Sequence, residues 1–151
     1  MFVRLKKFDD PTRPTVNEAQ SARDAFVIRL AEMYLIAAEA QLKLGNTPGA
    51  ADLINVVRRR AALSGMQAAM EIAPAQVTLD FILDERAREF AGEQLRWYDL
   101  KRTGKLIERV TAHNPEAAGY IQAHHVLRPI PQVQIDAVTN KDEFTQNPGY
   151  Q

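Results

Sequence analysis

The stretch from Phe26 to Leu44 constrains the fold most. Its only charged residues are Arg29, Glu32, Glu39 and Lys43. These fall three, seven and four apart, so helical winding gathers them into one narrow stripe. The remaining positions, including Leu30, Met33, Tyr34, Leu35, Ile36, Ala37, Ala38 and Leu42, are nearly all apolar. The spacing predicts a helix over 25–44 that is packed on most sides, as an inner helix of a layered helical array is. Four charges in so short a run exclude a membrane span.

The turn that follows sets what this helix pairs with. Gly45 closes it, because glycine takes the left-handed conformation at a helix C-terminus at least cost. Thr47-Pro48 opens the next helix, with threonine read as the N-cap and proline as the first helical residue. Ala50, Leu53, Ile54, Val57 and Ala61 then make an i, i+3, i+4, i+7, i+11 stripe. Two helices so joined form an αα-hairpin. The pattern Tyr34…Ala38…Leu44-Gly45-Asn46…Ala50…Ile54 is similar to one tetratricopeptide-type unit. Arrays of such units need neighbours to cover their faces, and one clear copy is present, so the chain is expected to be a fragment.

Pro11 and Pro14 make residues 1–24 an extended or looped lead-in. Gly65 and Pro74 break 64–76 into a loop. Thr78 caps a third helix over 79–101, with Leu79, Ile82, Leu83, Ala87, Phe90, Ala91 and Tyr98 inward. Gly92 is a weak point in that helix or a site of close packing. Gly104 stops it, with a short extra turn to about Val110. Residues 111–125 are polar and carry no clear period. Prolines at 129, 131 and 148 exclude a long helix beyond 126, leaving room for a turn or two over Gln132 to Val138. The expectation is one all-α domain over 1–151, with a lead-in (1–24), a helical core (25–110) and an irregular, extended tail (111–151).

Composition removes several function classes. The chain is 46% hydrophobic and 25% charged, with 19 Lys+Arg against 19 Asp+Glu, so no net field steers it to nucleic acid. Cysteine is absent, which excludes disulfides, thiolate metal sites and a cysteine nucleophile. Met1 to Lys7 is not followed by an apolar run, so these residues are no signal peptide, and no lipidation cysteine is present. Taken as written, the chain is expected to stay in the cytosol unless it belongs to a longer protein. No Gly-x-Gly-x-x-Gly occurs, Gly104-Lys105 lacks the rest of a phosphate loop, and no Gly-x-Ser-x-Gly is present.

Glu85, Glu89 and Glu93 fall at i, i+4, i+8, and paired carboxylates are the tools of a glycosidase. Arg86, Arg88, Arg96 and Arg102 interleave with them, and Arg58, Arg59 and Arg60 can approach from the second helix. Cations so close keep carboxylates ionised, which favours an ion-pair network over a general acid. No catalytic residue and no cofactor is therefore assigned. Of the three histidines, His124 and His125 are adjacent and should point apart, and His113 is remote, so no metal site is assigned either.

Trp97 is the only tryptophan. Exposed indole and phenol faces can stack on the apolar face of a sugar ring, so Trp97 and Tyr120 are the candidate ligand-binding residues. Against this, Trp97 between Arg96 and Tyr98-Asp99 fits a fold-fixing anchor, with Arg96 and Asp99 as charge-paired supports. Tyr34 and Tyr150 carry the same choice, with Tyr34 assigned to the core.

Five blocks in order carry a family resemblance. They are Arg29 to Ala40; Ile54-Asn55-Val56-Val57-Arg58-Arg59-Arg60-Ala61; Asp84 to Phe90 with Gly92-Glu93 and Arg96-Trp97-Tyr98-Asp99-Leu100-Lys101-Arg102; Pro129-Ile130-Pro131; and Gln146-Asn147-Pro148-Gly149-Tyr150. Together they resemble the C-terminal part of SusD/RagB-type proteins. The resemblance implies an all-α fold of tetratricopeptide-like hairpins with a long tail. It also implies a lipid-anchored, surface-exposed outer-membrane protein that captures an oligosaccharide, starch among them, or a peptide. Such a protein is non-catalytic and delivers its ligand to a SusC-like TonB-dependent transporter. The alternative is a freestanding tetratricopeptide-like module that binds protein partners.

Overall fold

The computed structural model describes residues 5–15, 17–24, 26–140 and 142–150. Among these the chain is helical, with short 3-10 turns and no strand, as the all-α reading expects. It divides into two compact units, Met1–Arg96 and Trp97–Gln151.

The first unit is built on a hairpin of α1 (Leu30–Lys43) and α2 (Thr47–Ala61). Gly45 sits at φ +79° and closes α1. The cap of α2 lies one residue earlier than the sequence suggests. Asn46 accepts the Gly49 N–H at 3.1 Å, so Thr47 is the first helical residue and Pro48 the second. Two residues able to cap stand side by side there, and the asparagine carboxamide takes the role.

Leu35 and Ala38 of α1 meet Ala50, Ala51, Ile54 and Val57 of α2. The alanines hold little volume between the helices, which lets them lie close. Next comes a loop with a short helix, α3 (Gln67–Met70), and a 3-10 turn at Pro74–Gln76. The buried Asn55 ties this loop to the hairpin: its Nδ2 donates to the Ile72 carbonyl at 3.0 Å and its Oδ1 accepts the Ile72 N–H at 2.9 Å. Helix α4 (Leu79–Glu89) starts at Thr78, whose Oγ1 accepts the Phe81 N–H at 3.0 Å, as expected of that cap. It adds Ile82 to the core, and Ile72 and Val77 close one end. Leu35, Ile54 and Ile82 are fully buried, each stabilising the fold by about 1.5–3 kcal/mol.

Three expectations are corrected in this unit. The first helix begins at Leu30 and not at 25; Ala25 itself lies outside the described residues. Arg29 is extended at φ −123°, ψ 152°, after the β-branched pair Val27-Ile28, which favours that conformation. Nor is α1 packed on most sides. It buries one face against α2 and α4, while Leu30, Met33 and Ile36 are 70%, 43% and 46% exposed. Finally, the single helix expected over 79–101 is two. Helix α4 ends at Glu89 and α5 (Arg96–Arg102) begins after a break containing Gly92 at φ +79° and Gln94 at φ 62°. Of the residues expected inside, Tyr98 is 62% exposed, and Ala91 in the break is exposed too.

In the second unit Gly104, at φ +70°, separates α5 from α6 (Leu106–His113), which runs past the single turn expected to about Val110. The Lys105 N–H bonds back to the Leu100 carbonyl at 2.8 Å. A 3-10 turn covers Ala123–Val126, and α7 (Gln132–Ala137) falls where a short helical piece is expected. The closing segment is held by side chains. Gln146 Oε1 accepts the Ile130 N–H at 2.7 Å, and its Nε2 donates to the Ile130 carbonyl at 2.8 Å. Asn147 Nδ2 donates to the Arg128 carbonyl at 2.7 Å, and the Tyr150 hydroxyl to the Leu127 carbonyl at 2.8 Å.

Candidate functional site

Glu89 and Glu93 converge on one guanidinium although the helix beneath them breaks, while Glu85 has partners of its own. Glu85 and Glu89 stand on α4 and Glu93 follows in the loop. The Arg29 guanidinium forks onto Glu93, with Nε 2.9 Å from Oε2 and Nη2 2.8 Å from Oε1, and its Nη1 lies 2.9 Å from Glu89 Oε1. Lys7 Nζ reaches Glu93 Oε1 at 2.6 Å and the Glu89 carbonyl at 2.7 Å. Arg60 Nη2 holds both Glu89 oxygens at 2.8 and 2.7 Å. Glu85 takes Arg58 at 2.6 Å and Arg88 at 2.7 Å. Phe26 and Phe90 lie 5.8 and 5.2 Å from the Arg29 guanidinium carbon, which adds cation–π attraction.

This geometry opposes acid catalysis. Burial alone would raise the Glu93 carboxyl, but hydrogen bonds from Arg29 and Lys7 outweigh it and hold the group below the usual carboxylate range. The Glu93 hydrogen bond in turn pushes Arg29 upward. A general acid needs a proton near neutral pH, and this surrounding removes it. The other arginines have structural partners as well. Arg59 pairs with Glu71 at 2.8 Å, Arg86 approaches Glu32 at 3.5 Å, Arg96 donates to the Leu83 carbonyl at 2.6 Å, and Arg102 pairs with Asp99 at 2.9 Å. The fold-fixing roles expected of Arg96 and Asp99 agree with these contacts. Nothing local in the sequence links Arg29 and Lys7 to glutamates some sixty or more positions away.

The two aromatic candidates meet in the second unit. Trp97 and Tyr120 line one open cavity of about 350 Å³ together with Ile121, His125, Arg128 and Tyr150. The Arg128 guanidinium carbon stands 5.3 Å from the Trp97 ring centre and covers it, while Tyr120 is 78% exposed. Tyr150 reaches the cavity because its hydroxyl is tied to Leu127. Arg128 is marked as a cavity residue by no local pattern, whereas Tyr150 carries the same choice between stacking and anchoring as Trp97.

The histidines correct another expectation. His124 and His125 do not point apart; their ring centres are 4.1 Å from each other, within the 3-10 turn. Tyr150 meets both edge-on, at 5.0 and 6.3 Å. His125 Nδ1 accepts the Gln122 N–H at 2.8 Å, which leaves the proton of the neutral ring on Nε2. No three His, Cys, Asp or Glu side chains among the described residues stand where they could hold a metal. Likewise no described helix is long and apolar enough to cross a membrane.

The first unit is thus a helical hairpin closed by ion pairs, and the second carries a C-terminal segment pinned by Gln146, Asn147 and Tyr150. The chain belongs to the SusD family, whose model matches residues 2–150. It is 36% identical over 156 residues to SusD-like protein P25 of Formosa agariphila, a match covering 99% of this chain and 28% of that protein. It is also 34% identical over 97 residues to a SusD-like protein of Bacteroides ovatus, covering 61% of this chain and 16% of that protein. The chain thus spans between 16% and 28% of the length of the curated relatives it matches. No solved structure gives a significant match.

Proposed function

We propose that this chain is the helical scaffold portion of a nutrient-capture protein of an outer-membrane uptake system. The parent binds an oligosaccharide or peptide at the cell surface and passes it to a SusC-like TonB-dependent transporter, without catalysing a reaction. The observation that carries this reading is family membership along essentially the whole chain. The ion pairs of Glu85, Glu89 and Glu93 support the non-catalytic part, because each carboxylate is engaged by arginine side chains. Within the chain, Tyr120 offers an open ring face for a sugar, with Trp97 beneath Arg128 as the supporting wall.

The test uses the intact parent protein with an affinity tag. Accessibility to protease on whole cells and co-purification of a β-barrel transporter are the expected results; a cytosolic protein without that partner overturns the reading. Glu89→Gln should leave any glycan turnover unchanged. Tyr120→Ala should weaken binding of the captured sugar about 3–10-fold, the worth of one aromatic contact. Unaltered affinity would remove Tyr120 from the site.

A further inference from the structure

Arg128 stands apart from the other described arginines. Arg13 and Arg23 donate to the Glu18 and Asp9 carbonyls, Arg109 meets His113, and the rest reach carboxylates or carbonyls. Among the described residues the Arg128 guanidinium has no such partner. It lies over the Trp97 ring at 5.3 Å and lines the open cavity of the second unit. An aromatic face attracts the charge of a guanidinium but offers its five N–H groups no oxygen acceptor. No described Asp or Glu lines the cavity to supply one.

A second donor lines the same cavity. His125 uses Nδ1 to accept the Gln122 N–H, so its Nε2–H remains, and no described residue accepts it. The walls are aromatic: Trp97, the 78% exposed Tyr120, and Tyr150, whose ring is fixed by its hydroxyl bond to the Leu127 carbonyl. At about 350 Å³ the space is at the lower end of small-molecule sites, room for a ring or two. The cavity thus combines flat apolar faces with a positive charge and an N–H donor, and holds no negative charge to balance them.

We infer that this cavity takes an acidic sugar ring, a pyranose carrying a carboxylate or a sulfate ester, with Arg128 as the anion contact. The inference rests on the reading that the protein captures a saccharide, and adds which kind. A pyranose acid meets both demands at once, its C–H face on Tyr120 and its anionic edge on the guanidinium, which is shaped to fork onto two oxygens. An uncharged sugar would leave the Arg128 charge unanswered.

The test presents uronate-bearing, sulfated and neutral oligosaccharides to the intact parent protein on an array. Calorimetry then compares the tightest acidic hit with its methyl-esterified or desulfated form. The acidic form should bind roughly 10-fold or more tightly, the worth of a charge-assisted hydrogen bond. Arg128→Gln should remove that preference while the thermal midpoint stays unchanged, and Arg128→Lys should restore part of it. Which acidic class binds separates carboxylate from sulfate. Neutral hits alone, acidic peptides bound in place of sugars, or an acidic preference untouched by Arg128→Gln would each overturn the inference. A surface protein that co-purifies with its transporter and binds only neutral glycans would keep the proposed function and lose the acidic site. An Arg128-dependent acidic preference in a cytosolic protein without that partner would do the reverse.

Discussion

Gln146 binds Ile130 as a neighbouring strand would, accepting its N–H at 2.7 Å and donating to its carbonyl at 2.8 Å with one carboxamide. Ile130 lies between Pro129 and Pro131, where no regular helix or ladder can satisfy its backbone. A side chain with a donor and an acceptor at the right spacing solves the problem, and glutamine has both.

Gln146→Leu should therefore release the C-terminal segment. Leucine offers neither donor nor acceptor, so both hydrogen bonds to Ile130 are lost, at a cost of about 1–3 kcal/mol. Hydrogen exchange should show the Ile130 amide losing protection while the amides of α1 keep theirs. Unchanged protection at Ile130 would contradict the assignment.

Arg29 should be the most sensitive cation of the first unit. It makes the bidentate contact to Glu93 and also reaches Glu89, and these carboxylates have side chains only 8% and 9% exposed. Removing one partner of a buried pair costs about 3–5 kcal/mol, and the remaining contacts from Lys7 and Arg60 reduce that to about 2 kcal/mol for Arg29→Ala. Arg29→Lys should recover little, since an ammonium cannot form the fork. Thermal denaturation of the three proteins checks the order wild type, Lys, Ala. A lysine variant as stable as wild type would show that charge alone suffices.

What was legible in the sequence was local. The period of Ala50, Leu53, Ile54 and Val57 announced α2, Thr78 announced the start of α4, and Gly92 marked where the third helix gives way. Asn46 and Thr47 can both cap, and only the geometry of the turn separates them. Gln94 at φ 62° has no sequence signal, as glutamine rarely enters that region. The candidate site was legible as residue types but not as an arrangement. Trp97 and Tyr120 were marked singly; that they share a cavity with Arg128 and Tyr150 depends on contacts across the second unit. In the same way the charge pattern foretold an ion-pair network around Glu89 and Glu93, while Arg29 as its centre lies 60 and 64 positions away.

Acid should weaken the fold in a defined direction. Glu93 is held below its ordinary value of 4.5, and hydrogen bonds from the Thr12 hydroxyl and N–H hold Asp10 well below the carboxylate range. A carboxyl that is a stronger acid in the folded state stabilises the fold above its unfolded pKa. That contribution is lost as pH falls through the folded value. Stability should thus start to decline below about pH 4.5. Glu93→Gln, which removes one of the two groups, should decline less steeply there. Parallel acid limbs for wild type and variant would show that Glu93 takes no part.

Two glycines separate backbone strain from crowding. Gly92 and Gly104 both have positive φ, at +79° and +70°, so alanine at either pays the left-handed penalty of about 1–2 kcal/mol. Around Gly104 an added Cβ meets nothing within 4 Å. At Gly92 it would stand 2.5 Å from Leu5 Cδ2 and 2.9 Å from Phe8 Cε2, so the lead-in must move or distort. Gly92→Ala should then cost about 1–3 kcal/mol more than Gly104→Ala, the usual toll of overpacking. Adding Leu5→Ala should return part of that difference to Gly92→Ala and none to Gly104→Ala, since only the first pair is in contact. Denaturant midpoints of the four variants measure it. Equal losses at the two glycines, or no rescue by Leu5→Ala, would mean that the lead-in does not press on the break between α4 and α5.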